Sequence, residues 1–318
     1  MTIAKESQTT STVMMVRPAG FESNPLTAVS NSFQSAPSSS PAEQQAAALQ
    51  EFDGLVAALR DAGVEVIVID DTPELRTPDA IFPNNWISTH ADGRVVLYPM
   101  EAENRRTERR RDVIDVLVNE FDRQVAEIVD LSSHETVGHY LEGTGSMVLD
   151  RSNRVAYACL SSRTHLDALG DFAQRMDYDV VAFDAVDRDG VPIYHTNVLM
   201  CVGENIAVVC DEAIPRAEQR AAVLARLRDS GHEIVSLSFA QLEAFAGNML
   251  ELRSGDGDRI MALSRQAWDS LDASQREALA ADHRIVMAPI DTIEAAAGGS
   301  VRCMLAEIHL PEKGEPQA

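Results

Sequence analysis

The chain has 318 residues, 45% apolar and 24% charged, with 50 acidic against 27 basic side chains and a formal net charge of −23. This excess of acid argues against a nucleic-acid partner, which would need clustered surplus cations to displace phosphate counterions. No apolar run approaches the roughly 18 residues needed to cross a bilayer.

The N-terminal stretch MTIAKESQTTSTVMMV has no basic segment followed by an apolar one, so secretion is not expected. Residues 1–11 read as a disordered tail and 12–318 as a single domain. VMMVRP is a first strand. Ser40 then caps a helix with Pro41 in its first position and Glu43 completing a capping box. Leu49, Phe52, Val56 and Leu59 form its buried stripe, Gly63 ends it, and VEVIVID follows as a strand buried on both faces. The same order recurs in strand RVVLYPM, helix 103–122 and strand VAEIVDL. It returns in strands NVLMCVG and NIAVVC, helix 214–229 and strand HEIVSLS. This is an α/β rhythm, and paired strands before a helix suggest a strand-strand-helix-strand repeat.

The basic run RRTERRR, 105–111, merges into an amphipathic pattern and reads first as a solvated helix face. HETVGH resembles a zinc-protease motif, but its histidines are five apart and so do not share a helix face; surface or capping roles suit His134 and His139. Dinucleotide, nucleoside-triphosphate and serine-hydrolase fingerprints are absent from the sequence. Four widely spaced cysteines suit free thiols in a reducing cytoplasm. Cys159, Cys201 and Cys210 read as small buried hydrophobes. Cys303 follows two glycines and adjoins Arg302, a cation able to favour a thiolate. His195, ahead of an apolar strand, is the best-placed histidine partner, and Glu142, in a glycine-flanked turn, is a third element.

Taken in order, PDAIFPNNW, NRRTE, LEGTGSMVLDR, LSSRTH, YHTNV and GGSVRCM resemble the guanidine-modifying superfamily of arginine deiminases, dimethylarginine dimethylaminohydrolases and amidinotransferases. The likeness is greatest to its citrulline-utilisation hydrolases and runs from Val16 to His309. The resemblance implies a five-fold pseudo-symmetric α/β propeller (pentein) of ββαβ modules. It implies Cys303 as nucleophile, His195 as general acid and base, and Glu142 as the carboxylate beside His195. It places Asp79 as a substrate-binding acid, and Arg105 and Arg163 on the substrate's α-carboxylate. No metal or organic cofactor is implied. The expected partner is a small amino acid, and a homo-oligomer is compatible with the sequence.

Asn84 and Asn85 stand where many relatives carry acids. A carboxylate only accepts hydrogen bonds, which suits a guanidinium; an amide both donates and accepts, which suits a neutral ureido group. The expected reaction is therefore hydrolysis of citrulline to ornithine, ammonia and carbon dioxide. Arginine dihydrolases share the pattern, including an Asn-Pro near the N-terminus, here Asn24-Pro25. Arginine deimination, amidinotransfer and a non-catalytic binding propeller are the other readings.

Overall fold

The computed structural model describes residues 6–35 and 39–314. It is a mixed α/β fold of small sheets, each with three strands. β1 (Thr12–Arg17) pairs in parallel with β2 (Glu65–Asp70), and the helix Pro41–Asp61 crosses between them. The next sheet holds β3 (Ile87–Thr89), β4 (Arg94–Leu97) and β5 (Glu127–Asp130). A third holds β6 (Val148–Asp150), β7 (Val155–Cys159) and β8 (Asp179–Phe183). A fourth holds β9 (Met200–Val202), β10 (Ile206–Val209) and β11 (Glu233–Ser236). The fifth holds β12 (Leu250–Arg253), β13 (Arg259–Ser264) and β14 (Arg284–Ala288).

In each of these the middle strand is antiparallel to the first and parallel to the third. A tight turn suffices for the first connection, whereas the parallel one requires a crossover, which is where the helices lie. The first sheet obeys the same rule only because β15 (Ala306–Glu307), from the far end of the chain, pairs antiparallel with β1. The two ends of the chain therefore complete one sheet together.

Helix Pro41–Asp61 carries the predicted capping box at Ser40 and Glu43. Its buried stripe is turned slightly from expectation: Ala48, Phe52, Leu55, Val56 and Leu59 are buried, while Leu49 is only half-buried. This face packs with Leu252, Ile260 and Val286 of the fifth sheet. Each such large side chain removed from water contributes roughly 1.5–3 kcal/mol.

Two expectations are corrected. Segment 103–122 is not one helix: a 3-10 turn covers Glu103–Glu108, the backbone extends at Arg109 and Arg110, and an α-helix runs only over Arg111–Asn119. Buried Arg105 is held in the first turn by its ion pair with Glu108, which sets that turn apart from the amphipathic helix after it. The described part of the N-terminal tail is also not loose. Gln8 is buried, its Nε2 donating to the carbonyls of Leu149 and Val202 at 2.9 Å each, while its Oε1 accepts from Arg151 N at 2.7 Å. Residues 1–5 lie outside the described residues. Among the described residues, no helix is long and apolar enough to cross a membrane.

Candidate active site

Each first strand of a sheet is preceded by a short buried turn that ends the chain's approach to the sheet. Pro83–Asn85 precedes β3, Gly143–Ser146 precedes β6, Thr196–Leu199 precedes β9, Asn248 stands just before β12, and Val301–Met304 precedes β15. These turns carry Asn84 and Asn85, the residues following Glu142 and His195, and Cys303. His195 is thus separated from its strand by a single helical turn, where the sequence suggested direct entry.

The turns pack tightly enough to require glycine. Gly143 has φ +49°, and a Cβ there would lie 2.3 Å from the Asn84 carbonyl oxygen. A Cβ on Gly145 would lie 2.5 Å from Asn85 Nδ2 and 2.7 Å from His195 Nδ1. The glycine spacing of LEGTGSMVLDR is therefore what admits the imidazole and the amide.

Asp79, Asn85, Arg105, Arg163, His195 and Cys303 all line one small cavity. Glu142 stands behind His195, its Oε2 2.8 Å from His195 Nε2. Burial opposes ionisation of Glu142, but Arg163, the hydrogen bond from His195, and Arg105 together hold its carboxyl well below the usual range. Burial pushes His195 down to about 4, with Glu142 opposing the shift and the two arginines adding to it. At neutral pH the imidazole is uncharged. Its Nε2–H donates to the Glu142 anion, which leaves the Nδ1 lone pair free to take a proton.

Asp79 Oδ2 accepts from Asn24 Nδ2 at 2.6 Å and from Thr27 Oγ1 at 3.3 Å, whereas Oδ1 is buried without a partner among the described residues. Asn24 thus reaches the site through Asp79. Arg105 is fully buried: its Nε and Nη2 donate to Glu108 at 3.1 and 2.9 Å and its Nη1 donates to Asn85 Oδ1 at 3.0 Å. Arg163 donates from Nη2 to the Thr27 carbonyl at 2.8 Å and from Nε to Ser30 Oγ at 3.0 Å, and it lies over the Tyr194 ring. Its Nη1 faces Glu142 at 3.6 Å.

The two amides are not equivalent. Asn85 lines the cavity, but Asn84 is sealed behind it, donating to Thr144 Oγ1 at 3.2 Å and accepting from Asn85 Nδ2 at 3.1 Å. Arg302 also departs from its expected part. Its Nη1 donates to the Leu305 carbonyl and its Nη2 to Glu307, both at 2.8 Å, so its charge is spent on Glu307. Burial pushes the thiols of Cys159, Cys201 and Cys210 up to about 12, as befits cysteines that only fill space. His134 is half-buried, with Nε2 3.0 Å from Asp171, and His139 stacks on His165 at 3.7 Å. Sequence reasoning missed Glu108 and Asn248. Glu108 was hidden inside a charge run, but the Gly247-Asn248 pair just ahead of an apolar strand repeats the pattern seen before β6.

Residues 17–310 match the family model described as N,N dimethylarginine dimethylhydrolase, eukaryotic. The chain belongs to this family. Within the wider guanidino-modifying superfamily its members are cysteine-dependent hydrolases of C–N bonds, and the protein is an enzyme of that class. Solved structures of low identity share the fold. Apo ArgZ, described as an arginine dihydrolase from the ornithine–ammonia cycle in cyanobacteria, superposes with a TM-score of 0.72 at 19% identity, over 96% of this chain and 42% of that one. The chain thus spans less than half of full-length ArgZ. It covers 97% of the ArgZ N-terminal domain, solved as a substrate-bound variant, at a TM-score of 0.68 and 19% identity over 93% of this chain. A dimethylarginine dimethylaminohydrolase variant in adduct with S-methyl-L-thiocitrulline gives 0.60 at 15% identity, over 93% of this chain and 99% of that one. No curated protein matches the family member described here by sequence.

Proposed function

We propose that the enzyme hydrolyses the guanidino group of free arginine through the neutral ureido stage to ornithine, with citrulline accepted as a substrate in its own right. The observation that carries this reading is the pairing, in one cavity with Cys303 and His195, of a carboxylate oxygen lacking a partner among the described residues, Asp79 Oδ1, with a neutral amide, Asn85. The first suits a cation, and the second suits the oxygen-bearing intermediate that follows. Citrulline as sole substrate, favoured by the amides alone, leaves the unpartnered Asp79 oxygen unexplained. The neighbouring ArgZ is itself described as an arginine dihydrolase, and a variant of its N-terminal domain is described as covalently bound to a reaction intermediate.

Cys303 Sγ attacks the trigonal carbon while its proton passes to His195 Nδ1. His195 returns that proton to the departing nitrogen, which leaves as ammonia, and the carbon stays bonded to sulfur. Water, deprotonated by His195, adds to the carbon, and the C–S bond breaks to restore the thiol. A second passage removes the remaining terminal nitrogen, and the resulting carbamate decomposes. The sum is arginine plus two waters giving ornithine, two ammonia and carbon dioxide. Glu142 holds the imidazole tautomer and stabilises the imidazolium. Arg163 receives the α-carboxylate through Nη1, which makes only its 3.6 Å contact with Glu142, whereas the fork of Arg105 is taken up by Glu108. Asn24 holds Asp79 in place. No step calls on a metal or an organic cofactor.

The propeller arrangement belongs to the same proposal. Contacts between first strands of successive sheets, β15 with β3, β6 with β9, and β9 with β12, support five modules set around a common axis. Free thiols throughout suit a cytoplasmic setting.

Incubation with arginine and with citrulline separately, with every product identified and Cys303→Ala as control, tests the reading. Ornithine and ammonia from both substrates are expected. Citrulline accumulating from arginine without ornithine would overturn the proposal.

A further inference from the structure

Resting on the reading of Cys303 as nucleophile, we propose that Asn248 and Asn197 are the groups that hold its sulfur and stabilise the thiolate it becomes as its proton passes to His195. Asn248 Nδ2 lies 3.3 Å and Asn197 Nδ2 3.4 Å from Cys303 Sγ, and all three side chains are buried. A second contact fixes which way the Asn248 amide faces. The same Nδ2 donates to the Asn197 backbone carbonyl at 2.9 Å, where an amide oxygen would meet only another acceptor.

The cost of this arrangement is visible on the other side of both amides. Asn197 Oδ1 and Asn248 Oδ1 are buried with no hydrogen-bond partner among the described residues. Unpaired buried carbonyls are destabilising, and native folds rarely keep two of them at one place without a reason. Here the reason is that both NH2 groups converge on one sulfur. A neutral thiol needs at most an acceptor for its own proton, whereas two donors aimed at sulfur suit an anion. The cation expected to serve this purpose, Arg302, is turned to Glu307 instead. A carboxylate in place of either amide would face the thiolate with like charge, which accounts for an amide in the run His195-Thr196-Asn197.

The placement follows from the fold. Asn197, Asn248 and Cys303 sit in the turns before β9, β12 and β15, so three sheets distant in sequence supply one nucleophile and its two donors.

The test is the pH dependence of iodoacetamide alkylation at Cys303, followed by peptide mass spectrometry in the full chain. Asn248→Asp and Asn248→Ala should move the pH–rate profile to higher pH and slow alkylation at neutral pH about tenfold or more, as loss of a hydrogen bond to a charged atom implies. Turnover of citrulline should fall in kcat with little change in KM. Asn197→Asp, nearly isosteric, gives the same readout through the other donor should Asn248→Ala not fold. Profiles unmoved in the folded variants, with turnover lost in Cys303→Ala, would overturn the assignment of the amides alone. Turnover surviving in Cys303→Ala would overturn the nucleophile reading on which it rests.

Discussion

His195 Nε2 lies 2.8 Å from Glu142 Oε2, with both side chains fully buried and the carboxylate flanked by Arg163 and Arg105. The pair fixes the imidazole with Nε2 toward the carboxylate, and in the proposed mechanism the opposite nitrogen is the base. Glu142→Gln keeps the shape and removes the anion that steadies the imidazolium. We expect kcat to fall about 10²–10³-fold, within the usual span for acid–base groups. Steady-state kinetics with arginine and citrulline would show it, and an unaltered kcat would remove Glu142 from the mechanism.

The same pair sets a pH dependence of stability. His195 is pushed down to about 4 by burial, so in the unfolded chain it binds its proton near the ordinary value and in the native state only well below it. As pH falls between these limits the unfolded state takes up a proton that the native state refuses, and stability declines. Above the window this group contributes no slope. The full span amounts to about 3 kcal/mol. Depression of the Glu142 carboxyl adds a further loss once the pH falls through the ordinary carboxylate range. Urea midpoints measured from neutral to mildly acid pH should show the decline, and His195→Gln should flatten it.

Gly145→Ala is expected to harm turnover far more than folding. The new methyl would lie 2.7 Å from His195 Nδ1 and 2.5 Å from Asn85 Nδ2, so the base and the amide must both move. A displacement of this size at reacting groups costs about 10²-fold in rate, against about 1–3 kcal/mol of overpacking. Activity and thermal unfolding measured on the same preparation would separate the two effects.

Asn85→Asp tests what the cavity amide selects. Its Oδ1 already accepts from Arg105 at 3.0 Å, and the carboxylate would keep that contact while losing the donor. The neutral ureido stage should suffer more than the cationic one, about tenfold or more, because an oxygen would face an oxygen. The readout is citrulline building up from arginine in the variant. Equal slowing with both substrates would count against the amide's role.

The N-terminal arm makes a separate prediction. Gln8→Ala removes three buried hydrogen bonds, to Leu149, Val202 and Arg151, at a cost of about 3 kcal/mol. The denaturation midpoint should fall with kcat unchanged. An unchanged midpoint would mean that the arm contributes nothing in solution.

By itself, the sequence determined the local features that depend on near neighbours. The box at Ser40 and Glu43, the apolar strands and the glycines around Thr144 each follow from side-chain chemistry within a few residues. The ordered motifs likewise singled out most of the residues that meet in the cavity. Only the tertiary structure decided what lies between distant segments. It turned Arg302 toward Glu307, sealed Asn84 behind Asn85, filled the fork of Arg105 with Glu108 and packed Gln8 against two sheets. It also brought Asn248 to the sulfur of Cys303 across 55 residues. The reason is physical: β15 must cross the whole fold to complete the sheet of β1, and a buried polar group takes whichever partner that closure delivers, which no local pattern specifies.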